Sequence, residues 1–356
     1  MKKPATTCER LPERHVIGKE GRPMQSRARQ RGLVAGIMVF ASVVLVAVAL
    51  VGDVVAGEKV TFRMNWYWGG IHAPFALAKE RGYFEKAGID VELLEGKGSA
   101  TTVQLIGNKS DMFGWADGVT LALNASKGVP VKSVAMMVNI LPYAVVSLEE
   151  KNIRTAKDLE GKSLAITPGD GLTQIWPAVV AANNLNADSI KLIHMDPRAK
   201  VPAVTERRVD ALLGGADDQA LAIEALGFKT RSLKFSDMGV TSVGFTILTH
   251  VDLIKEKPDL VRRVVAASIK GWEDALKDPD AAVEALMKIA PLANPGIVKR
   301  QLEVDLSFLF SQNNPQRRIG YGPPQDWDMT YDLLKKYRGM VTDQPVTAFY
   351  TNEFLP

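Results

Sequence analysis

Short apolar segments alternate with helical patterns along most of the chain, and this alternation constrains the fold more than any other feature. Ile89, Val91 and Leu93 are separated by polar residues, a period of two that indicates a strand. The first half of the pattern predicts strands over 60–64, 89–93, 112–115 and 131–138, and helices over 74–81, 99–106 and 119–127. Strands that alternate with helices predict an α/β fold with a mostly parallel sheet between helices.

A second unit of the same type follows. Its predicted strands cover 163–167, 191–195 and 211–213, its predicted helices 172–183 and 200–206, and a polar helix near 157–162 precedes them. After a strand-like segment at 243–248, the chain is predicted to be helical over 258–277, 279–289, 295–310 and 325–337. We therefore expect an extension and signal peptide at 1–56, lobe 1 at 57–147, an inserted lobe 2 at 148–242, and a return to lobe 1 at 243–356. Two crossover strands, near 143–148 and 243–248, would join the lobes.

The N-terminal segment predicts export from the cytoplasm. Three arginines, Arg27, Arg29 and Arg31, precede an uninterrupted apolar run over 33–51, and small residues follow before Gly57. This is the pattern of a secretory signal peptide. The run is also long enough to span a bilayer, so an uncleaved anchor is the alternative. In either case the rest of the chain is expected in the periplasm, and Met24 is an alternative start to Met1.

The charge distribution argues against nucleic-acid binding. Nine of the 44 basic residues and three of the 40 acidic residues lie within 1–31, which leaves 35 basic and 37 acidic residues in the remainder. A nucleic-acid-binding domain needs a basic face, and this nearly neutral remainder does not predict one. The only cysteine, Cys8, precedes the apolar run, so the exported part has neither a disulfide nor a thiol nucleophile.

Three separated stretches resemble a known family. They are "HAPFALAKERGYFEKAGIDVEL", "KPDLVRRVVAASIKGWEDALKDPDAAVEAL" and the ending "FYTNEFLP". The chain from about residue 58 onward resembles periplasmic solute-binding proteins of ABC importers, in the group that binds thiamine pyrimidine precursors and aliphatic sulfonates. This resemblance implies a two-lobed type II periplasmic-binding-protein fold that closes on a small solute. It also implies an ABC permease in the inner membrane as partner, and a monomer is expected because the lobes must move.

Aromatic residues follow two predicted strands of lobe 1. Ligands of open α/β sheets lie beyond the carboxyl ends of the strands, where loops enter helices. Trp66 and Trp68 follow the first strand and Trp115 ends another, so their rings are predicted to form one wall of a cleft. Packing in the core is the alternative for each ring. His72 is predicted either to line the cleft or to hydrogen-bond at a helix start.

A glycine-rich turn, "TPGDGLTQ", connects a lobe 2 strand to a helix. Backbone N–H groups at a helix start can bind polar ligand atoms, so Gly171, Leu172 and Thr173 are predicted to donate hydrogen bonds to the ligand. A simple helix cap by Asp170 or Thr173 is the alternative. The turn lacks the residues of a nucleotide-binding loop.

Carboxylates at strand ends predict the kind of ligand. Asp117 in lobe 1 and the pair Asp217 and Asp218 in lobe 2 would face each other, and carboxylates accept hydrogen bonds from amines or ring N–H groups. This favours a nitrogen-containing heteroaromatic solute over a sulfonate, although Asp217 or Asp218 could instead cap the next helix. Asn139 and Tyr143, beside the first crossover, are predicted to add polar contacts from the hinge.

The sequence favours a receptor without catalytic activity, cofactor or metal. A binder of sulfonate, nitrate or another small anion is one alternative, and a membrane-tethered sensor is another. A third is an enzyme like the pyrimidine-synthesising branch that shares the fold, which depends on a cysteine-rich motif that the exported part lacks. The histidines of the exported part, His72, His194 and His250, are far apart in the sequence and show no metal-binding spacing.

Overall fold

The structure is a computed structural model that describes residues 57–356, which belong to one compact unit beginning at Ala56. Ten strands occur in it: β1 Glu58–Arg63, β2 Ile89–Leu94, β3 Phe113–Asp117, β4 Val131–Met136, β5 Tyr143–Leu148, β6 Ser163–Ile166, β7 Lys191–His194, β8 Ala211–Gly215, β9 Thr230–Lys234 and β10 Phe245–His250. The first seven helices are α1 Ala73–Glu80, α2 Tyr83–Lys86, α3 Ser99–Gly107, α4 Gly118–Ala125, α5 Gly171–Ala182, α6 Pro197–Thr205 and α7 Gln219–Ala225. The others are α8 Val251–Glu256, α9 Pro258–Lys277, α10 Pro279–Ile289, α11 Pro295–Ser307 and α12 Pro324–Arg338. The predicted signal peptide lies outside the described residues.

Lobe 1 is built on a five-stranded sheet with the order β2-β1-β3-β10-β4. β1 pairs in parallel with both of its neighbours, whereas β10 is antiparallel to β3 and β4. Every residue of β3 is buried, as expected for a central strand of a sheet covered on both faces. The sheet is thus mixed: four of its five strands run in the same direction, as the sequence predicted, and β10 runs in the opposite direction.

Lobe 2 repeats this layout with the order β7-β6-β8-β5-β9. Here β6 pairs in parallel with β7 and β8, and β5 is antiparallel to β8 and β9. The edge strand β9 is half-buried along its whole length. The polar segment predicted as a helix near 157–162 is a short 3-10 turn, Ala156–Leu159, which begins at a capping box between Thr155 and Asp158.

Two segments connect the lobes, between β4 and β5 and between β9 and β10. They pair with each other through an antiparallel bridge between Ile140 and Val243, and the Gly244 N–H donates to the Asn139 carbonyl at 3.1 Å. Because β5 already belongs to the second sheet, the first crossing precedes Tyr143 instead of running through 143–148. The second crossing likewise ends before Phe245. A paired two-stranded connection of this kind can act as a hinge.

The C-terminal helices complete lobe 1 and reach towards lobe 2. Val298 and Leu302 of α11 pack with Ala73 and Leu77 of α1 in a buried apolar cluster. On its other side α11 contacts α7, and α12 contacts α5, so both helices border the space between the lobes. Among residues 57–356, none of the helices combines the length and the hydrophobicity needed to cross a membrane.

Candidate ligand-binding site between the lobes

A cavity of about 640 Å³, including its open mouth, lies between the two lobes. This volume is in the range of small-molecule binding sites. Lobe 1 contributes the loop after β1, the start of α3 and one face of α11. Lobe 2 contributes the starts of β5, α5 and α7 and one lysine of α6. The charged and aromatic lining residues are Trp66, Tyr67, His72, Tyr143, Asp170, Lys200, Asp217, Asp218, Phe245 and Asp305.

Contacts between the lobes close the cavity on several sides. Gln301 Nε2 of α11 donates to Asp218 Oδ1 at 2.9 Å. The Ala100 N–H donates to the Gly169 carbonyl at 3.1 Å, and a neighbouring ion pair joins Arg300 to Glu224 at 3.0 Å. The lobes therefore touch around the cavity, in the arrangement expected for the closed form of a hinged receptor.

The loop after β1 is rigidly held. The Gly69 N–H donates to Nδ1 of His72 at 3.2 Å, and the Nε2 atom of His72 lies 3.1 Å from Asn65 Oδ1. Because Nδ1 accepts a hydrogen bond, Nε2 carries the proton, and burial lowers the pKa of His72 to about 3. Gly70 is needed because a Cβ there would overlap the backbone N of Leu302. His72 therefore lines the cavity as a neutral ring that fixes the loop.

Two cationic side chains of lobe 2 lie over aromatic rings of lobe 1. The Arg198 guanidinium is 4.1 Å from the ring centre of Tyr67, and Lys200 Nζ is 5.5 Å from that of Trp66. Both distances are typical of cation–π interactions. Lys200 is fully buried, donates to the Leu213 carbonyl at 2.8 Å and pairs with Asp170 at 3.4 Å. The ammonium group is therefore already committed to protein oxygens.

Four carboxyl groups line the cavity, and two of them have buried oxygens without a hydrogen-bond partner. Within residues 57–356, these are both oxygens of Asp305 and Oδ1 of Asp217. Burial raises the pKa of Asp217 to about 7, and the charge of Asp218 adds to this effect. Burial and the nearby Asp217 raise the pKa of Asp305 well above its usual value.

The other two carboxyl groups are used by the protein itself. Asp218 accepts from Gln301 and is also bonded to Gln219; burial is the main reason that its pKa is raised. Asp170 caps α5, since its Oδ1 accepts from the Thr173 N–H at 2.7 Å. Of the four lining carboxyl groups within residues 57–356, those of Asp217 and Asp305 therefore retain free acceptor atoms.

The structure brings six of the eleven predicted site residues to the cavity, namely Trp66, His72, Tyr143, Gly171, Leu172 and Asp218. A Cβ on Gly171 would overlap the Tyr143 hydroxyl group and Asp117 Oδ2, so only glycine fits where the lobes meet. Burial raises the pKa of Tyr143 well above its usual value, and the nearby Asp117 charge adds to this. Tyr143 therefore presents a neutral hydroxyl group.

Two tryptophans lie elsewhere than expected. The Trp115 ring is fully buried, with ring centres 5.1 Å from Phe75, 5.5 Å from Phe245 and 5.6 Å from Trp272. The prediction that it faces the cleft is wrong because β3 continues to Asp117, which leaves Trp115 in mid-strand beneath the helices. Trp68 packs edge-on against His72 at 5.8 Å and lies outside the cavity.

Three polar residues also lie outside the cavity, and each is hydrogen-bonded within the fold. Asp117 Oδ1 caps α4 through the Thr120 N–H at 2.7 Å. The side chain of Asn139 accepts from Asn314 and donates to the Tyr321 carbonyl, both at 3.0 Å. The Thr173 hydroxyl group donates to the Thr167 carbonyl at 2.9 Å, and its N–H donates to the capping Asp170, which is the capping alternative considered above. A direct ligand contact by these three side chains stays a prediction.

The sequence analysis did not identify Lys200, Gln301 and Asp305 as site residues. For two of them a signal was present: Gln301 and Asp305 lie in the buried stripe of α11 together with Val298 and Leu302. Polar residues within such a stripe require a polar partner or a ligand. Lys200 gave no comparable signal, because lysine in a helix is normally exposed.

The described residues offer no group of three or more His, Cys, Asp or Glu side chains arranged to hold a metal ion. The arrangement is instead that of a binding pocket with an aromatic wall, neutral hydroxyl and imidazole groups, and free carboxylate oxygens.

Two lobes, each with a mostly parallel sheet, and a paired connection beside an inter-lobe cavity define the fold of periplasmic solute-binding proteins. The alkanesulfonate-binding protein of Xanthomonas axonopodis, solved with MOPS, superposes with a TM-score of 0.62 over 83% of this chain and 98% of its own, at 16% identity. A solved protein from Bordetella bronchiseptica superposes with a TM-score of 0.67 over 84% and 96%, also at 16% identity. The predicted fold class is thereby confirmed.

The family follows from the sequence. Residues 70–282 match the family described as NMT1/THI5 like, and the chain belongs to it. The riboflavin-binding protein RibY of Chloroflexus aurantiacus is 25% identical over 84% of this chain and 86% of its own. The formylaminopyrimidine-binding protein of Halalkalibacterium halodurans is 24% identical over 82% and 88%. The resemblance expected from the sequence is thus confirmed.

Some relatives carry the name of an enzyme. A protein of Legionella pneumophila that is 22% identical over 84% of this chain and 93% of its own is named a 4-amino-5-hydroxymethyl-2-methylpyrimidine phosphate synthase. Binding proteins and synthases therefore share this family, and the choice between them depends on the site.

Proposed function

We propose that the protein is an extracytoplasmic solute-binding receptor of an ABC-type importer, which closes its two lobes around a small planar solute. The observation that carries the proposal is the cavity itself, whose walls come from both lobes. A ligand that contacts both walls binds the closed form more tightly than the open form, and this difference drives closure. The closed form would then dock on a permease in the inner membrane.

The lining favours a nitrogen-containing heteroaromatic solute, such as a thiamine pyrimidine precursor. Trp66, Tyr67 and Phe245 offer ring faces and edges, which suit a flat ligand. The cavity of the described residues is lined by four carboxyl groups and one ammonium group, and that ammonium group is paired. A sulfonate or nitrate would meet mainly negative charge there, so the anion alternative has less support.

The receptor interpretation also has more support than the enzyme interpretation. Asp170 caps α5 and pairs with Lys200. Burial raises the pKa of Asp217 and Asp305. The site has no arrangement of nucleophile, base and orienting group, and relatives of this chain include proteins named for binding a solute. Turnover of a bound solute would contradict this interpretation.

The solute can be identified directly. Protein purified from its native source without unfolding would retain a tightly bound ligand, which mass spectrometry detects after denaturation. Refolded, empty protein would then be tested by calorimetry against that compound, 4-amino-5-hydroxymethyl-2-methylpyrimidine, riboflavin and an alkanesulfonate. A bound sulfonate or other anion would contradict the heteroaromatic proposal, and conversion of the ligand during incubation would contradict a receptor.

Trp66→Ala should weaken binding of the co-purified solute by about 30-fold, because an aromatic anchor at the centre of an interface contributes roughly 2 kcal/mol. Trp66 lies in the cavity wall, whereas Trp68, two residues on, does not. Trp68→Ala is the matched control, and its affinity should stay within about threefold of the wild type. Calorimetry measures both, and equal losses in the two variants would place the ligand elsewhere.

A further inference from the structure

Two buried carboxyl groups meet in the cavity from opposite lobes. Asp305 lies on α11 of lobe 1 and is 1% exposed, and Asp217 follows β8 of lobe 2 and is 7% exposed. Both line the cavity, and each is close enough to affect the pKa of the other. Neither oxygen of Asp305 has a donor among residues 57–356, and the same holds for Oδ1 of Asp217.

Such an arrangement is costly unless something balances it. A buried carboxylate without a hydrogen-bond donor loses its hydration and gains nothing in return, and two carboxylates side by side also repel each other. Among residues 57–356 the one lysine or arginine that lines the cavity, Lys200, is bound to Asp170 and to the Leu213 carbonyl. The free acceptor oxygens therefore need either a bound proton or a donor group of a ligand.

We infer that Asp217 and Asp305 form a two-carboxyl receptor for a cationic, planar ligand group that presents adjacent N–H donors, such as an amidinium group or the protonated edge of an aminopyrimidine. This inference rests on the proposed function, since it names the ligand chemistry of the same cavity. In this arrangement Asp305 of lobe 1 is needed to select a positively charged ligand, because lobe 2 provides only one carboxyl group of the pair. Ligand binding and lobe closure are coupled, because the two carboxyl groups come together only when the lobes meet.

In the empty closed form the pair shares one proton, and the arriving cation replaces it. The proton passes to the buffer, so charge is conserved. Burial and mutual repulsion raise the pKa of both groups above their ordinary values, to about 7 for Asp217. Cation affinity should therefore rise with pH over the range in which the pair loses this proton. The other titratable or charged groups facing the pair are Asp218 and Asp170, Lys200, Tyr143 and His72.

Two of those neighbouring groups do not reproduce this behaviour. Burial keeps Tyr143 neutral, and His72 is neutral because its pKa is about 3. Burial also raises the pKa of Asp218, so the proton released on binding is assigned to the Asp217–Asp305 pair by its loss in the variants described below.

Three isosteric probes test the inference on the empty wild-type protein. Benzamidine carries a permanent amidinium group, benzamide is neutral, and benzoate is anionic. At pH 8, benzamidine should bind at least about tenfold more tightly than benzamide, as expected for charge-assisted hydrogen bonds, and benzoate should bind least. Calorimetry in two buffers of different ionisation enthalpy should show that more protons are released per benzamidine at pH 6 than at pH 9; proton release that does not depend on pH would contradict the inference.

Asp305→Asn tests the residue itself. Asparagine has the same shape and can donate to Asp217, so the variant should fold and should melt at a higher temperature than the wild type at pH 8. A purely structural aspartate would instead leave the variant less stable. Benzamidine affinity should fall by about tenfold or more, whereas benzamide affinity should stay within about threefold; Asp217→Asn provides a second, independent variant.

The outcomes separate this inference from the proposed function. Equal affinities for the three probes, no benzamidine binding, or unchanged discrimination in both variants would overturn the inference. The receptor proposal would stand in each of these cases if Trp66→Ala still weakened binding of the co-purified solute. Loss of the Trp66 effect with intact charge discrimination would instead contradict the proposed position of the solute's ring.

Discussion

Replacing Trp115 with alanine should lower the free energy of unfolding by about 3–5 kcal/mol, the usual cost of removing a large aromatic ring from a packed core. Its ring is fully buried and is surrounded by Phe75, Phe245 and Trp272, with ring centres 5.1–5.8 Å apart within this group. Alanine would leave a cavity between β3 and the helices that cover it. Urea unfolding of the empty protein, followed by intrinsic fluorescence and circular dichroism, measures the change.

Trp115→Phe is the matched control. Phenylalanine keeps most of the aromatic contact, and it removes an indole N–H that has no hydrogen-bond acceptor among residues 57–356. The loss of stability should therefore be much smaller than for alanine. A Trp115→Ala variant that is as stable as the wild type but binds its solute poorly would contradict the core position and would indicate that Trp115 lines the cavity, as the sequence predicted.

The difference between Trp66 and Trp115 shows what the sequence can and cannot predict. The strand-end rule correctly selected the loops after β1, β6 and β8 as walls of the cavity. It could not predict how far each strand extends. The antiparallel partner β10 pairs with β3 as far as Asp117, so a ring expected at the strand end lies inside the sheet.

Apolar patterns predicted two long C-terminal helices well, but they missed the short helices α2, α7 and α8 and the edge strand β9. The helices over 258–277 and 279–289 have the expected bounds, because each begins with a proline in its first turn and has a regular apolar stripe. The strand β9 was not predicted, since Thr230–Lys234 is polar and half-buried and pairs only with β5. Its position depends on tertiary pairing and not on local pattern.

The charged part of the site was the least predictable. Asp217 was considered as a helix cap and Asp305 was not considered, yet these are the carboxyl groups that keep free oxygens in the cavity. They are 88 positions apart in the sequence and come together only because α11 of the returning chain borders lobe 2. A single sequence predicts which residues follow strands, but contacts between lobes depend on closure.

The other large effect is expected at Lys200. Its ammonium group is fully buried, where it pairs with Asp170 at 3.4 Å and donates to the Leu213 carbonyl at 2.8 Å. Lys200→Met should lower the free energy of unfolding by about 3–5 kcal/mol, because it leaves a buried carboxylate without its cation. Denaturant unfolding at pH 7 measures the loss.

A double-mutant cycle separates the lost charge pair from lost packing. Asp170→Asn keeps an oxygen that can cap α5 and removes the charge, so Lys200→Met combined with Asp170→Asn should be more stable than Lys200→Met alone. If the two substitutions destabilise additively, the pair contributes through packing and the Leu213 hydrogen bond only.

The cation–π contact between Lys200 and Trp66 crosses the lobes at 5.5 Å. Lys200→Met should therefore also weaken the closed form, which solution scattering would detect as a larger radius of gyration. Because methionine keeps the apolar stem of the lysine, such an expansion would be due to the missing ammonium charge.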